Sequence, residues 1–443
     1  MTLPGRAFVC LLFGATCVLL AAAVRADDAP EQPRSFEQLP AALRSQIGLG
    51  EPRASDQIPD SPFGTLTTVC YDRAEPSGPS KSESLASAIA AAGYKWVGDY
   101  IQADWSKTPS TPEEIAAWSG IATACTAHLA RLQAHNIHVL MRIDALPTGK
   151  LAVTKEQLAL AKTFTRNVVA RLKLYIKHWQ LGNEPNAPEA YVRATTELAR
   201  VVRAEQPDAV VYGPRLEVSG EDTSISANGE QRVTPVIEAK AELRRALSDF
   251  AQGITPRMHC SFYRRMPETA FSYEGSSNTI NKAFEKKPLY YAAQNLHAVL
   301  DTTYSRVDNI KVSVKHAPSA GSNIQTYLKH HGSFDELLIF FWSPTPAEDL
   351  HVRKPVSLQL SAAEHWEAPI LIDLMTMPGN ARPSGFQPSA HKRTTFPAAQ
   401  RDVNNLQLDG LELRDYPQVL KLIRVTSTAV ATGLRESVAP RAR

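Results

Sequence analysis

The hydrophobic and polar positions of this chain change rhythm twice. From about residue 64, short apolar runs of strand length alternate with longer segments whose apolar residues recur every three to four positions. That pattern predicts strands at 64–70, 95–101, 138–143, 176–181 and 209–216, with helices at 82–92, 112–135, 154–174 and 188–205 between them. A helix at 233–252, a strand at 257–263, a polar loop at 264–287 and a helix opening at Pro288 complete this part. Helix ends carry the expected residues: Gly93 after the first, Thr111-Pro112 opening the second, Pro207 after the fourth and Gly253 closing 233–252.

Five strand-and-helix units in succession predict an α/β fold of the (β/α)8 TIM-barrel type. The rival architecture is an open doubly wound sheet. It asks for a glycine-rich first turn, which Cys70-Tyr71-Asp72-Arg73 does not supply. The barrel count falls short, because about forty residues with one clear helix separate the fifth strand from the last. Either the barrel is incomplete, or 209–218 serves as a later strand, or short strands lie in 219–232.

After Asp301 the spacing shortens. Strands are expected at 310–314, 323–328, 337–342, 355–360, 369–374, 405–408 and 419–425, with no long helix among them, which is the pattern of an antiparallel β-sandwich. The chain therefore divides into a leading segment at 1–26, a weakly ordered leader at 27–60 with one short helix at 36–47, a barrel at 61–303, a sandwich at 304–428 and a disordered tail at 429–443.

Residues 1–26 place Arg6 before an apolar run at 7–24 and end in small residues at Ala26, the layout of a secretory signal peptide. A secreted or periplasmic protein is expected. The alternative is an uncleaved membrane anchor, since the run is near the lower limit for spanning a bilayer. The mature chain keeps Cys70, Cys125 and Cys260, which allows one disulfide plus one thiol, or three buried thiols. At 443 residues the chain exceeds one ordinary core, and a hydrophobic content of 43% is that of a globular protein. A dispersed net charge of +3 argues against a nucleic-acid partner, and no glycine-rich phosphate loop is present. No metal-type Cys or His spacing occurs, His330-His331 reads as a solvated loop pair, and no cofactor is expected.

Candidate chemistry concentrates in Trp179-Gln180-Leu181-Gly182-Asn183-Glu184-Pro185-Asn186. A strand ends there, Pro185 stops further pairing, and Glu184 falls at the strand's carboxyl end, where barrel enzymes gather their reactive groups. The string resembles the strand-four signature of the clan A glycoside hydrolases, closest to the β-xylosidase and α-iduronidase-like group, over roughly residues 60–425. Further echoes are the Pro288-Leu289-Tyr290-Tyr291-Ala292 run, similar to that group's last barrel helix, and Phe340-Phe341-Trp342-Ser343-Pro344 in the β-rich part.

The resemblance implies a carbohydrate substrate and makes Glu184 the general acid/base, beside Asn183. Glycoside hydrolysis needs a second carboxyl group across the scissile bond. In the resembling group it is a glutamate at the end of strand seven, often in a Thr-Glu-x-Gly setting that this chain lacks. Glu217 is the best placed substitute, with Glu268 and Glu274 after the last strand as others, although a strand-five glutamate sits beside the acid/base strand rather than opposite it. Those relatives also tend to carry an arginine after the strand-two Trp-Val pair, where this chain reads Trp96-Val97-Gly98-Asp99.

Trp179 and Trp105 are candidates for the apolar surroundings that would raise the Glu184 pKa toward neutrality. Trp105, Asp144, His259 and Tyr263 are candidate sugar contacts, along with Arg142, Asp99 and Asp104. Three functions follow: an exported, retaining glycoside hydrolase, an inactive relative that binds carbohydrate or a protein, and a barrel enzyme of other chemistry. The oligomeric state is not legible in the sequence.

Overall fold

Six strands lie parallel in one sheet, β1 (Phe63–Leu66), β2 (Trp96–Gln102), β3 (His138–Asp144), β4 (His178–Leu181), β5 (Val210–Tyr212) and β6 (Arg257–Ser261), in the spatial order β5-β4-β3-β2-β1-β6. Successive strands are neighbours, and β6 returns to pair with β1, so it takes the place of a last strand beside the first. This is a computed structural model of the chain, and it describes residues 33–72, 75–76, 78, 83–106, 109, 111, 113–114, 123–147, 153–182, 188–214, 234–253, 257–262, 279–280, 284–315, 321–348, 354–361, 366–377, 394–395, 397–401 and 405–426.

The connecting helices form where the apolar period is 3.6 and a cap is available. Thr154 begins the helix Lys155–Leu172 with a capping box: its hydroxyl accepts from the Gln157 amide at 3.1 Å while the Gln157 side chain accepts from the Thr154 amide at 3.0 Å. We number the helices α1 (Ala41–Arg44), α2 (Val69–Asp72), α3 (Leu85–Ala91), α4 (Thr123–Ala134), α5 (Lys155–Leu172), α6 (Glu189–Glu205), α7 (Pro235–Gln252) and α8 (Pro288–Val299). Among the described residues α3 to α8 all pack on one face of the sheet. Val97, Ile101, Val139, Met141, Ile143, Trp179 and Leu181 join α3 to α6 in one apolar cluster, and Phe63 joins α7 and α8 in another. A doubly wound sheet carries helices on both faces, an arrangement not seen among the described residues.

Two expectations change here. The first strand stops at Leu66, and Val69 and Cys70 belong to a short helix, where they are buried against the helix layer instead of continuing the sheet. Period alone does not separate a short buried strand from one apolar helical turn. The leader, expected to be weakly ordered, is anchored at several points over 33–60. Leu39, Leu43, Ile47 and Ile58 are buried, Arg34 pairs with Glu367, Arg53 with Asp301, and Lys421 Nζ donates to the Gly48 carbonyl at 2.9 Å.

Beyond residue 304 all pairing among the described residues is antiparallel. One sheet has the order β13-β12-β16-β10-β9-β7, and a second has β14-β15-β11-β8. The strands are β7 (Ser305–Arg306), β8 (Val312–Lys315), β9 (Asn323–His330), β10 (Phe334–Trp342), β11 (Lys354–Ser361), β12 (Glu367–Asp373), β13 (Thr394–Thr395), β14 (Ala398–Arg401), β15 (Asn405–Leu413) and β16 (Gln418–Val425). The short β7, β13 and β14 have no counterpart in the expected strands.

All nine positions of β10 are buried. Its Leu337, Ile339 and Phe341 face the second sheet, against Leu358, Leu360, Leu406 and Leu408. Its Phe334, Leu338, Phe340 and Trp342 face α7, α8 and the leader. The parallel and antiparallel parts are thus joined through a shared apolar layer. No helix among the described residues is long and apolar enough to cross a membrane.

Candidate functional site

Strand alternation sorts the side chains of the parallel sheet. If Val97, Ile101, Val139, Met141, Ile143, Trp179 and Leu181 face the helices, then Trp96, Tyr100, Gln102, His138, Arg142, Asp144, His178 and Gln180 face the other side. Gly98 marks that inner side too: a Cβ there would come within 2.6 Å of Leu66 Cδ2, so only glycine lets the Leu66 and Met258 side chains lie across β2.

The two ends of the inner face differ. At the amino ends of the strands the rings of Trp96, His138, His178 and Tyr212 form a row, with centroids 4.8 Å apart for Trp96–His138 and 4.7 Å for Trp96–His178. His178 Nδ1 lies 3.2 Å from the Tyr212 hydroxyl. Burial, followed by the neighbouring His138, lowers the His178 pKa, so the ring is neutral at pH 7.

At the carboxyl ends the face is charged. The Arg142 guanidinium lies 4.6 Å from the centre of the Tyr100 ring, and its Nε donates to Asp144 Oδ2 at 3.0 Å. Tyr71 of α2 stacks on the same Tyr100 ring at 4.7 Å with 26° between planes. Gln180 pairs with Arg142 in register, is 3% exposed, and its Nε2 has no hydrogen-bond partner among the described residues.

The exit of β4 is built beside them. Gly182 holds φ at +77°, and a Cβ there would lie 2.5 Å from the Tyr191 hydroxyl, so both backbone hand and space require glycine. Its amide donates to the Ile143 carbonyl at 3.0 Å, which ties this turn to the end of β3, one residue before Asp144. Asn183 and Glu184 follow directly in the chain and lie outside the described residues, as do Glu217, Glu268, Glu274 and Tyr263. His259 belongs to β6, and its side chain is likewise outside them.

Of the residues singled out from sequence, Arg142 and Asp144 come together on the inner face. Trp105 sits on the turn after β2, partly buried, with its ring against the helix-side cluster. Trp179 is fully buried on the helix side, where its Nε1 donates to Gln206 at 2.9 Å, so core packing accounts for it. Asp104 bonds Ser106 in the same turn.

Asp99 turns away from the site. Its Oδ2 accepts from the Thr67 hydroxyl at 2.9 Å and the Cys70 amide at 3.0 Å, and its Oδ1 from the Tyr100 amide at 2.7 Å. Burial pushes its carboxyl up to about 6, against the opposing pull of those donors and of His128. Cys70 in turn is bridged to Cys125 of α4, which settles the cysteine alternatives in favour of a disulfide. In the pair His330-His331, His330 is exposed and lies 2.6 Å from Asp335, while His331 is partly buried and lies 2.9 Å from Glu336. No group of three or more potential metal ligands occurs among the described residues.

Tyr71, Tyr100 and Gln180 were not read as site residues from sequence. Tyr100 was accessible in principle, because it shares the parity of Trp96 and Gly98, opposite to the apolar Val97 and Ile101. Tyr71 carries no such signal, since it follows the strand expected at 64–70 and lies in the turn after it, where the structure has a short helix.

No protein-family model and no curated protein matches this chain by sequence. Among solved structures, a family 39 glycoside hydrolase from the gut symbiont Bacteroides cellulosilyticus WH2 is similar with a TM-score of 0.51 at 12% identity, over 86% of this chain and 82% of that one. A further glycoside hydrolase reaches 0.42 at 10% identity over 86% and 97%. The Thermotoga maritima α-fucosidase in complex with fucose reaches 0.39 at 10% identity over 76% and 77%. The family 39 likeness is one of fold alone: a mixed α/β chain with a parallel sheet followed by antiparallel sheets.

Proposed function

We propose that this chain is an exported glycoside hydrolase of the β-xylosidase and α-iduronidase-like kind, cleaving O-glycosidic bonds of a poly- or oligosaccharide with Glu184 as general acid/base. The observation that carries the reading is the turn at Gly182. It takes the backbone out of β4 at the sheet edge where Arg142, Asp144 and Tyr100 gather, and Asn183-Glu184-Pro185 are the next three residues. Support for the fold comes from the one-sided helices and the β6–β1 pairing, as in a (β/α) barrel with β6 as its last strand.

In this reading the barrel is abbreviated. Between β5 and α7 a complete eight-stranded barrel needs a helix, strand, helix and strand, which at ordinary lengths sum to about 34 residues before any loop. Residues 213–234, all that separates β5 from α7, are fewer than that.

A retaining mechanism places a second carboxylate about 5 Å from the first. Glu217 follows β5, the strand next to β4, while Glu268 and Glu274 follow β6. Asn183, Asp144, Trp105, His259 and Tyr263 are proposed sugar contacts, and no cofactor is required.

The test is hydrolysis of a panel of aryl glycosides. Glu184→Gln should lower kcat/KM by about 10²- to 10⁴-fold, the usual worth of general acid/base catalysis, with partial rescue by azide where the leaving group is good. Full activity in the variant would falsify the assignment. Trapping with a 2-fluoro glycoside then locates the nucleophile by the labelled peptide. Absence of a Thr-Glu-x-Gly sequence favours a second reading, an inactive relative that binds carbohydrate or a protein partner. The unaltered protein's failure on every aryl glycoside would select it.

A further inference from the structure

Tyr71 is 46% exposed, yet it sits on a rigid support. Its ring lies against Tyr100, whose ring also carries the Arg142 guanidinium, and Arg142 is held in turn by Asp144. The backbone on both sides of it is fixed. Cys70 is bridged to Cys125, and its amide is bonded to the buried Asp99. Asp72 returns to Thr68 twice, its amide donating to the Thr68 carbonyl at 2.7 Å and its carboxylate accepting from the Thr68 hydroxyl at 2.6 Å. Both bridged cysteines are buried, Cys70 at 4% and Cys125 at 0% exposed.

A single exposed aromatic is ordinary on a protein surface. This one differs because its conformational freedom has been removed beforehand. The Tyr100 ring that supports it also carries Arg142, which Asp144 holds, and Gln180 pairs with Arg142 in register, its buried amide nitrogen without a hydrogen-bond partner among the described residues. Aromatic faces beside planar polar groups are what pyranose rings bind: the ring C–H face stacks and the hydroxyls bond.

We propose that Tyr71 is a stacking platform for one pyranose ring of the substrate, and that the Cys70–Cys125 bridge is the positioning element that holds it on Tyr100. The proposal deepens the glycosidase reading and rests on it for the class of substrate. It assigns no catalytic step to Tyr71.

The experiment is binding of cellohexaose, xylohexaose, mannohexaose and chitohexaose by calorimetry, with the full-length protein. For any oligomer bound by the unaltered protein, Tyr71→Ala should weaken Kd by roughly ten-fold, the factor that corresponds to about 1.4 kcal/mol of lost stacking, whereas Tyr71→Trp should retain it. Tyr71 is exposed, so neither variant threatens folding. Cys70→Ala/Cys125→Ala, where it folds, should weaken the same oligomer to a similar degree. An equal Kd in the protein and in Tyr71→Ala overturns the platform. Unchanged binding in the cysteine variant overturns the positioning role. Binding of none of the four oligomers also overturns the proposal, while the Glu184→Gln assay on aryl glycosides judges the hydrolase reading separately.

Discussion

Asp99 is a carboxyl whose charge is costly in the fold, and its effect on stability has a definite sign. With a folded pKa of about 6 against an ordinary 3.8, the folded protein holds a proton that the unfolded chain releases between those values. The stabilisation is complete below about pH 4 and is lost as pH rises through 6. The shift of about 2 units corresponds to about 3 kcal/mol. Asp99→Asn removes this dependence. Urea unfolding at pH 4 and pH 7 should show the stability difference between protein and variant changing by about 3 kcal/mol in that direction, and parallel pH profiles would refute the assignment. The same residue shows the limit of reading a site from sequence. Its position near the end of a strand makes Asp99 look like a sugar contact, but it faces the helices with Val97 and Ile101, while Tyr100, one residue on, faces inward.

At the scale of elements, β10, β16 and the leader meet at one buried ion pair. Glu336 Oε1 lies 2.6 Å from Lys421 Nζ, Tyr304 donates to Glu336 Oε2 at 2.7 Å, His331 Nε2 lies 2.9 Å from the same oxygen, and Lys421 reaches Gly48. Burial alone would raise the Glu336 pKa, but Lys421, His331 and Tyr304 outweigh it and hold the carboxyl well below its usual range. Its contribution is therefore present above the ordinary pKa of 4.5 and is lost as pH falls. Lys421→Met leaves a buried carboxylate without its cation. At pH 7 the loss should be about 3–5 kcal/mol, measured by denaturant unfolding, and should shrink on acidification to pH 4 as Glu336 takes up a proton. A loss that grows toward acid would contradict the pairing. The strand pattern announced β10 and β16 through their apolar runs. It did not announce the pair, because Glu336 and Lys421 are 85 positions apart and meet only through antiparallel register.

At the scale of the whole molecule, the leader holds the two halves together. Leu39, Leu43, Ile47 and Ile58 are each worth about 1.5–3 kcal/mol when buried, a sum comparable with the total stability of an ordinary domain. The leader also supplies the Ser55 carbonyl that accepts from the fully buried Lys95 ammonium at 2.9 Å. A chain beginning at Asp60 should lose cooperative unfolding in urea or fail to stay soluble. Unfolding with an unchanged midpoint would show the leader to be dispensable. Composition misleads here, since a segment rich in Pro, Asp, Gln and Ser reads as loosely ordered, and only the apolar surface waiting on α8 and the six-stranded antiparallel sheet gives Leu39, Leu43 and Ile47 a place to bury.

Taken by itself, the sequence determined the alternation of strands and helices, their approximate ends, the change to closely spaced strands after residue 301, and the strand-ending string that carries Glu184. These are properties of near neighbours: a period of two or 3.6, a capping side chain, a glycine or proline that stops an element. Tertiary structure decided which strand borders which, that α3 to α8 share one face, that Cys70 joins Cys125, and that Tyr71, Arg142 and Asp144 gather around Tyr100. The reason is physical. Each of these depends on burial and register between segments tens to hundreds of residues apart, and a one-residue shift in register sends every side chain of a strand to the opposite face.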